Sequence, residues 1–380
     1  MKRILYLLLP ILMAANVNVA RAWEYPTSDP GELPGLGTKE DPYRISTAQE
    51  LANFAYRMNN GYTYYQKYVV LNADITLNEK LLNEDGNPLT TAKQWTHIGY
   101  ESRKKSFKGT FDGLNHTVRG VYTSGETQSG YVGFFGFVYQ AIVKNLIVTD
   151  SYLSGNNNYL GGIVAHATSS EITNCSYNGT IVQGLLYAAG GIVGYSSSCT
   201  IDNCHFSGAI RCKSGSDGAD YIGGILGNGG DLTLDNTDIK NCTVDADIKD
   251  ADTSTSTCDF IGGIAGYCYN VNNCVVKNSS GNDRVSSLSA KYVGGIVGYA
   301  KNAVTNCYNS SEVYLYSKSS TAGYVGGIAG YAYDVSTCCN YAPVTAWKAT
   351  SYYLGGVVGY ATNEVMDCRN NNKVSCEGAP

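Results

Sequence analysis

Apolar residues fall along this chain in short runs of three to five, each bounded by Gly, Asn or Ser. The clearest block reads Tyr-Val-Gly-Gly-Ile-Val-Gly-Tyr. It recurs as Tyr159–His166, Tyr221–Asn228, Phe260–Tyr267, Tyr292–Tyr299, Tyr324–Tyr331 and Tyr353–Tyr360. Tyr187–Tyr195 is a one-residue variant, and Tyr131–Phe137 is a shortened first copy. Aligned on the second glycine the copies sit at 133, 162, 191, 224, 263, 295, 327 and 356, so successive spacings lie between 29 and 39.

Each copy is followed by aliphatic-x-Asn-Cys, as in Ile172–Cys175, Ile201–Cys204, Ile239–Cys242, Val271–Cys274 and Val304–Cys307. Thr337 and Asp367 replace the Asn in the last two copies, and Leu146 replaces the Cys in the first. Six residues after the Cys comes a third aliphatic in most copies: Ile181, Ile210, Ile248, Val313, Val344 and Val374. Three short strand-like pieces per period of about 30 residues, with no helix, describe one coil of a β-solenoid. Successive coils then stack at about 4.8 Å. The Ile after the second glycine should point inward. The Asn before Cys should turn a corner in the left-handed region and stack into an amide ladder.

The N-terminal part is irregular. Residues 1–22 read as an export signal: Lys2 and Arg3, an apolar run from Ile4 to Ala15, then Ala20-Arg21-Ala22. Residues 23–34 read as a linker. Thr47 with Glu50 is a capping box, and Leu51, Phe54, Ala55 and Met58 fall on one helical face. That helix is placed to cover the first open coil edge. The resulting division is 1–22 signal, 23–128 linker, capping helix and first irregular coils, and 129–380 about eight repeats. The last coil has no such cover before Pro380. Its open edge predicts pairing with a partner, with another copy, or with further chain.

Composition agrees with many strands and tight turns: 44 Gly, 32 Tyr and 8 Pro. Taking away 1–22 removes three of the 27 basic residues and none of the 32 acidic ones, which leaves a net charge of −8. That argues against nucleic acid and against an anionic membrane surface. No segment after the signal is apolar enough to span a membrane. The 13 Cys include no Cys-x-x-Cys pair, and the odd number leaves at least one thiol unpaired in a monomer.

Little catalytic chemistry stands out. The four His occur singly. Cys199, Cys204, His205 and Cys212 come nearest to a zinc set, but Cys204 belongs to the repeat column and reads as core. Leu146 at an equivalent position argues that the column cysteines act as small buried hydrophobes, a reduced ladder in preference to a chain of disulfides. The acidic stretch Asp231–Asp259 holds weak calcium candidates, Asp245, Asp247, Asp250 and Asp252. It is also where a polysaccharide lyase or glycosidase would keep its acid and base. A solvated turn surface explains it as well, since no ligand spacing repeats. No phosphate loop, nucleotide fingerprint or nucleophile elbow is present, and no cofactor is implied.

Two aromatic columns flank the glycines. The one before them tolerates Phe260 and Ala188, which suggests burial. The one after them, Tyr195, Tyr267, Tyr299, Tyr331 and Tyr360, accepts His166 and Asn228, which suggests exposure. The second column is the candidate binding strip, its rings able to stack on sugars or on a peptide's apolar side.

Gly35-Leu36-Gly37-Thr38…Asp41-Pro42-Tyr43-Arg44-Ile45, the run Phe107–Val118 and the Gly-Gly-Ile-Val-Gly blocks together resemble GLUG-motif proteins. The likeness covers roughly residues 35 to 376. It implies a right-handed parallel β-helix on a bacterial surface, adhesin-like or the non-catalytic part of an IgA-specific metallopeptidase. Such peptidases carry His-Glu-x-x-His, which is missing here, so that activity does not transfer. The column Cys departs from the commoner apolar residue. The expectation is an exported, extracellular or cell-surface (or periplasmic) binding protein for glycans or extracellular and cell-surface proteins, without catalysis. The alternative is the carbohydrate-active enzyme with its site in 231–259.

Overall fold

The protein is described by a computed structural model. It covers residues 23–85, 87–89, 92–100, 105–125, 130–156, 159–183, 187–212, 220–230, 236–250, 258–316, 323–347 and 352–377. The expected export signal lies outside these residues. The chain forms a parallel β-helix, as its repeats require. Among the described residues the strands make three sheets, of 17, 15 and 8 strands, here called I, II and III.

One coil illustrates the path. Tyr159–Gly161 belongs to sheet III, Val164–Thr168 and Glu171–Thr173 to sheet I, and Ser176–Gln183 to sheet II. Sheet III collects all eight glycine blocks in register, with Tyr292 opposite Tyr324 and Tyr324 opposite Tyr353. Seven steps of about 4.8 Å make it roughly 34 Å long.

The core follows from the alternation of side chains along each strand. Ile163, Ile192, Ile225, Ile264, Ile296 and Ile328 are fully buried, as are Ile172, Ile201, Val271 and Val304 in the next column. At the corner, Asn145, Asn174, Asn203, Asn241, Asn273 and Asn306 all have φ between +51° and +56°, and Thr337 and Asp367 share that conformation. The amide ladder forms: Asn174 donates to Asn145 at 3.1 Å, Asn203 to Asn174 at 2.9 Å, Asn273 to Asn241 at 2.8 Å and Asn306 to Asn273 at 3.0 Å. It is interrupted once, where Asn241 turns to Asp202 at 2.7 Å. Gly162 and Gly191 leave no room for a side chain. A Cβ there would lie 2.4 and 2.3 Å from the rings of Tyr177 and Phe206.

The column cysteines Cys175, Cys204, Cys242, Cys274, Cys307 and Cys338 are buried free thiols in line with Leu146. Burial pushes the Cys204 and Cys274 thiols well above their usual range.

The helix spans Ala48–Asn59 with both halves of the Thr47–Glu50 box made. Leu51, Phe54, Ala55 and Met58 are buried, and Phe54 meets Phe107 and Phe111 of the first coils. One expectation needs correcting. Residues 23–34 are not a free linker: Trp23 and Leu33 belong to the core, and Trp23 Nε1 donates to the Leu77 carbonyl at 2.9 Å. The first coils offer Trp23 a partner in Trp95, the two rings meeting edge to face at 6.1 Å. At the other end Val365, Met366 and Val374 are exposed on the last described coil.

Candidate functional site: an aromatic groove along the rod

Sheet III meets sheet I at the Gly-Gly bend, and the bend is sharp enough for outward rings on either side to touch. Within one coil, Tyr292 meets Tyr299 at 5.4 Å and Tyr353 meets Tyr360 at 5.6 Å, both edge to face. Along the rod the column before the glycines stacks nearly flat: Tyr221–Phe260 at 4.7 Å, Phe260–Tyr292 at 4.9 Å, then Tyr292–Tyr324 and Tyr324–Tyr353 at 5.0 Å. The column after the glycines stacks too, Tyr267–Tyr299 at 5.4 Å, Tyr299–Tyr331 at 4.3 Å and Tyr331–Tyr360 at 5.7 Å. The two columns interlock edge to face, the geometry that ring quadrupoles favour.

The exposure expected of the column after the glycines holds at Tyr360 and fails at Tyr267, and the column before them is not buried as expected. Both columns are mostly half-buried, since each shields the other in the bend. His166 and Asn228, taken as marks of exposure, are themselves buried. His166 packs among Phe137, Tyr159 and Tyr195. Tyr267 is 1% exposed, walled by Tyr221, Phe260 and Tyr299, and is no contact surface. Tyr195, Tyr299 and Tyr331 are half-buried; Tyr360 is 41% exposed and Tyr353, of the other column, 50%. The accessible part of the groove is therefore built by both columns, from Tyr292 to Tyr360. Burial, and then the neighbouring Tyr331 phenol, pushes the Tyr299 phenol up to about 12.

The other candidates disperse. Cys204 is buried just before the strand His205–Cys212, whereas His205, which opens that strand, is half-buried. Among the described residues no three His, Cys, Asp or Glu side chains converge as metal ligands. Asp250 is buried with its carboxylate engaged by the Ser287 hydroxyl and the Leu288 amide. Asp245 accepts from the Ser279 amide at 2.9 Å; its burial acts upward, but the Ser279 hydrogen bonds outweigh it and hold the carboxyl below its usual range. Burial pushes Asp247 up. Asp231, Asp235 and Asp252 lie outside the described residues.

One irregularity interrupts the repeat. Between Cys274 and Val285, the aliphatic in register with Ile248 and Val313, there are eleven positions instead of six. The extra residues leave sheet II as an excursion, Asn278–Asp283, beside Asp247. The spacing alone could have shown it.

The family model of the GLUG motif matches residues 156–182, 186–211 and 350–375. The chain carries GLUG repeats. All three matched segments start just before a sheet III strand, Tyr159–Gly161, Ala188–Gly190 and Tyr352–Gly355, so the motif and the structural coil keep the same phase. A protein of Evansella cellulosilytica named "Putative Gly-rich membrane protein" is 31% identical over 121 residues, 32% of this chain. The chain spans only 12% of that relative's length. The crystal structure of a "putative immunoglobulin A1 protease" from Bacteroides ovatus superposes with a TM-score of 0.50 at 18% identity, covering 90% of this chain and 86% of that one. At that identity the likeness speaks for the fold alone. Among the described residues no helix is long and apolar enough to cross a membrane.

Proposed function

We propose that the protein is an exported, surface-exposed β-helical binding rod of the adhesin type. Its ring groove from Tyr292 to Tyr360 is the contact surface for glycans or for an extracellular or cell-surface protein. The observation that carries this reading is the groove itself: rings from two columns held at 4.3–5.7 Å along three coils, with Tyr353 and Tyr360 open to solvent. Aromatic faces with phenol tips suit ligands that have one apolar and one hydroxylated side. Asp238, Asp245 and Asp250 in the described part of 231–259 are tied to Asn270, Ser279 and Ser287, which favours binding over the carbohydrate-active enzyme.

The test is an array of glycans and host proteins probed with the full chain and with Tyr299→Ser/Tyr331→Ser. Binding that falls at least tenfold while the coil signature in circular dichroism persists supports the groove. A folded variant that binds unchanged makes the rings structural only.

A further inference from the structure

The outer face of sheet II carries a second feature, unrelated to the ring groove. The excursion Asn278–Asp283 walls an open cleft of about 370 Å³, lined by Asp247, Lys249, Asn282, Arg284, Ser286 and Tyr314 among others. That size lies in the range of small-ligand sites.

The cleft is built before any ligand arrives. Its floor is Asp250, buried, which accepts from the Ser287 hydroxyl and from the Leu288 amide at 2.9 Å. The Ser287 oxygen in turn accepts from the Ala290 amide at 2.7 Å, so the turn after strand Arg284–Ser287 is locked. The excursion is fixed by the Ser279 amide on Asp245 at 2.9 Å and by the Asp283 amide on Asn278 at 3.1 Å. Arg284 is tied through Nε to Glu312 at 3.1 Å, and its side chain is 56% exposed.

The charges alternate in sign. Asp247 and Lys249 stand on one strand, two residues apart and so on the same face. Arg284 sits beside Asp247 on the next coil, because Ile248 pairs with Val285. Lys277, Asp283 and Arg211 flank the same patch. A polyanion would meet Asp247, and a polycation would meet Lys249 and Arg284. A ligand without net charge whose adjacent groups both donate and accept satisfies all of them, with the carboxylate accepting and the cations donating. Tyr314, in register with Ser286, adds a ring face at the cleft. Further along the rod Tyr316 meets Trp347 edge to face at 5.4 Å, and Trp347 is exposed.

We propose that this cleft is a subsite for a neutral sugar residue of an oligosaccharide. The glycan runs along the rod axis from Asp247 and Arg284 over Tyr314 toward Trp347. The proposal does not depend on the ring groove.

The experiment is an array of neutral and uronate- or sulfate-bearing oligosaccharides probed with the full chain. Three variants are compared: Asp247→Asn/Arg284→Ala, Ser286→Trp, which fills the cleft from its own wall, and Tyr299→Ser/Tyr331→Ser. Neutral glycans should be retained by the unaltered chain and weakened at least tenfold by both cleft changes, with the groove variant unaffected. All the altered side chains point outward, and a thermal melt checks that the coils persist. The proposal is overturned if no neutral glycan is retained, if only acidic ones are, or if both cleft variants bind as the unaltered chain does. A signal lost in the groove variant alone would reject the cleft and spare the groove.

Discussion

Sheet II is made differently in its two halves. Its early coils contribute long strands, Ile147–Gly155, Ser176–Gln183, His205–Cys212 and Thr243–Lys249. Its late coils contribute broken ones: Tyr308–Asn309 with Glu312–Tyr316, Cys339–Asn340 with Val344–Trp347, and Arg369–Asn370 with Val374–Glu377. The inward column that runs through both halves changes with them. In register it reads Val148, Tyr177, Phe206, Val244, Val276, Asn309, Asn340, Asn370.

Where the strand is long, the backbone pairs with its neighbours and the column can be apolar. Where it breaks in the last three coils, an asparagine replaces the missing ladder, whereas Val118 and Val276 keep the column apolar at the breaks after Thr117–Arg119 and Val275–Lys277. Asn309 donates to the Ser311 carbonyl at 2.9 Å and accepts from the Ser311 amide at 3.0 Å, bridging the gap with its own side chain. Asn340 does the same at Ala342, ahead of Pro343, which has no amide to give. The amides then stack, Asn309 on Asn340 at 2.9 Å and Asn340 on Asn370 at 2.8 Å, so the buried polar groups satisfy one another. A repeat can thus exchange an apolar core position for a polar one when the change occurs in consecutive coils.

The largest effect should come from the apolar half. Phe206→Ala removes a fully buried ring that stacks on Tyr177 at 6.1 Å. It should cost about 3–5 kcal/mol in denaturant unfolding. Next is Asn340→Val, which places in the broken half a residue the column accepts at Val244 and Val276. An apolar core position would tolerate it. The bridging account instead expects a loss of about 2–3 kcal/mol, from the stranded Asn309 amide and the unbridged Ala342 groups. A neutral or stabilising result breaks the comparison.

The late half also carries the accessible rings, and pH probes them. Tyr299 has its folded pKa raised from 10.0 to about 12. Its contribution to stability is fully present below pH 10 and is lost as pH rises through about 12. Ultraviolet titration of the folded chain should show a tyrosinate fraction appearing well above the ordinary midpoint, and Tyr299→Phe should diminish that late fraction. A late fraction unchanged by the substitution would place the shifted phenol elsewhere.

The sequence announced what depends on period. Inward Ile, corner Asn, the Cys column and the capping box all repeat or follow a local rule, and each appears where spacing put it. What it concealed depends on how coils meet. Exposure of the two ring columns could not be read from substitutions such as His166 and Asn228, because the Gly-Gly bend folds one column over the other. Trp23 looked like linker because its partners, Leu77 and Trp95, are 54 and more residues away. The excursion Asn278–Asp283 was legible as a spacing error, but its neighbours Asp247 and Tyr314 come from the coils before and after.

The cysteine column supplies a control for the comparison, since from Cys175 to Cys338 it passes from one half into the other as buried Cys throughout. Cys204 lies in the half with long strands and Cys307 in the half with broken ones, and both are buried. Their surroundings match: the Cys204 thiol faces the Ile172 and Asp202 carbonyls, and the Cys307 thiol faces those of Val271 and Thr305. If the difference between the halves is confined to the Tyr177–Asn370 column, Cys204→Val and Cys307→Val should cost the same. Each should stay within about 1.5 kcal/mol, because valine keeps the size and apolar character of the thiol. Oxidation should leave the column alone. In-register neighbours hold their Cβ atoms about 4.8 Å apart and parallel, whereas a disulfide needs about 3.8 Å. Peptide mapping without reductant should therefore find no Cys307–Cys338 link. A Cys307→Val cost well above that of Cys204→Val would show that the break in sheet II loosens or strains the neighbouring column as well, and the two halves would then differ throughout their section.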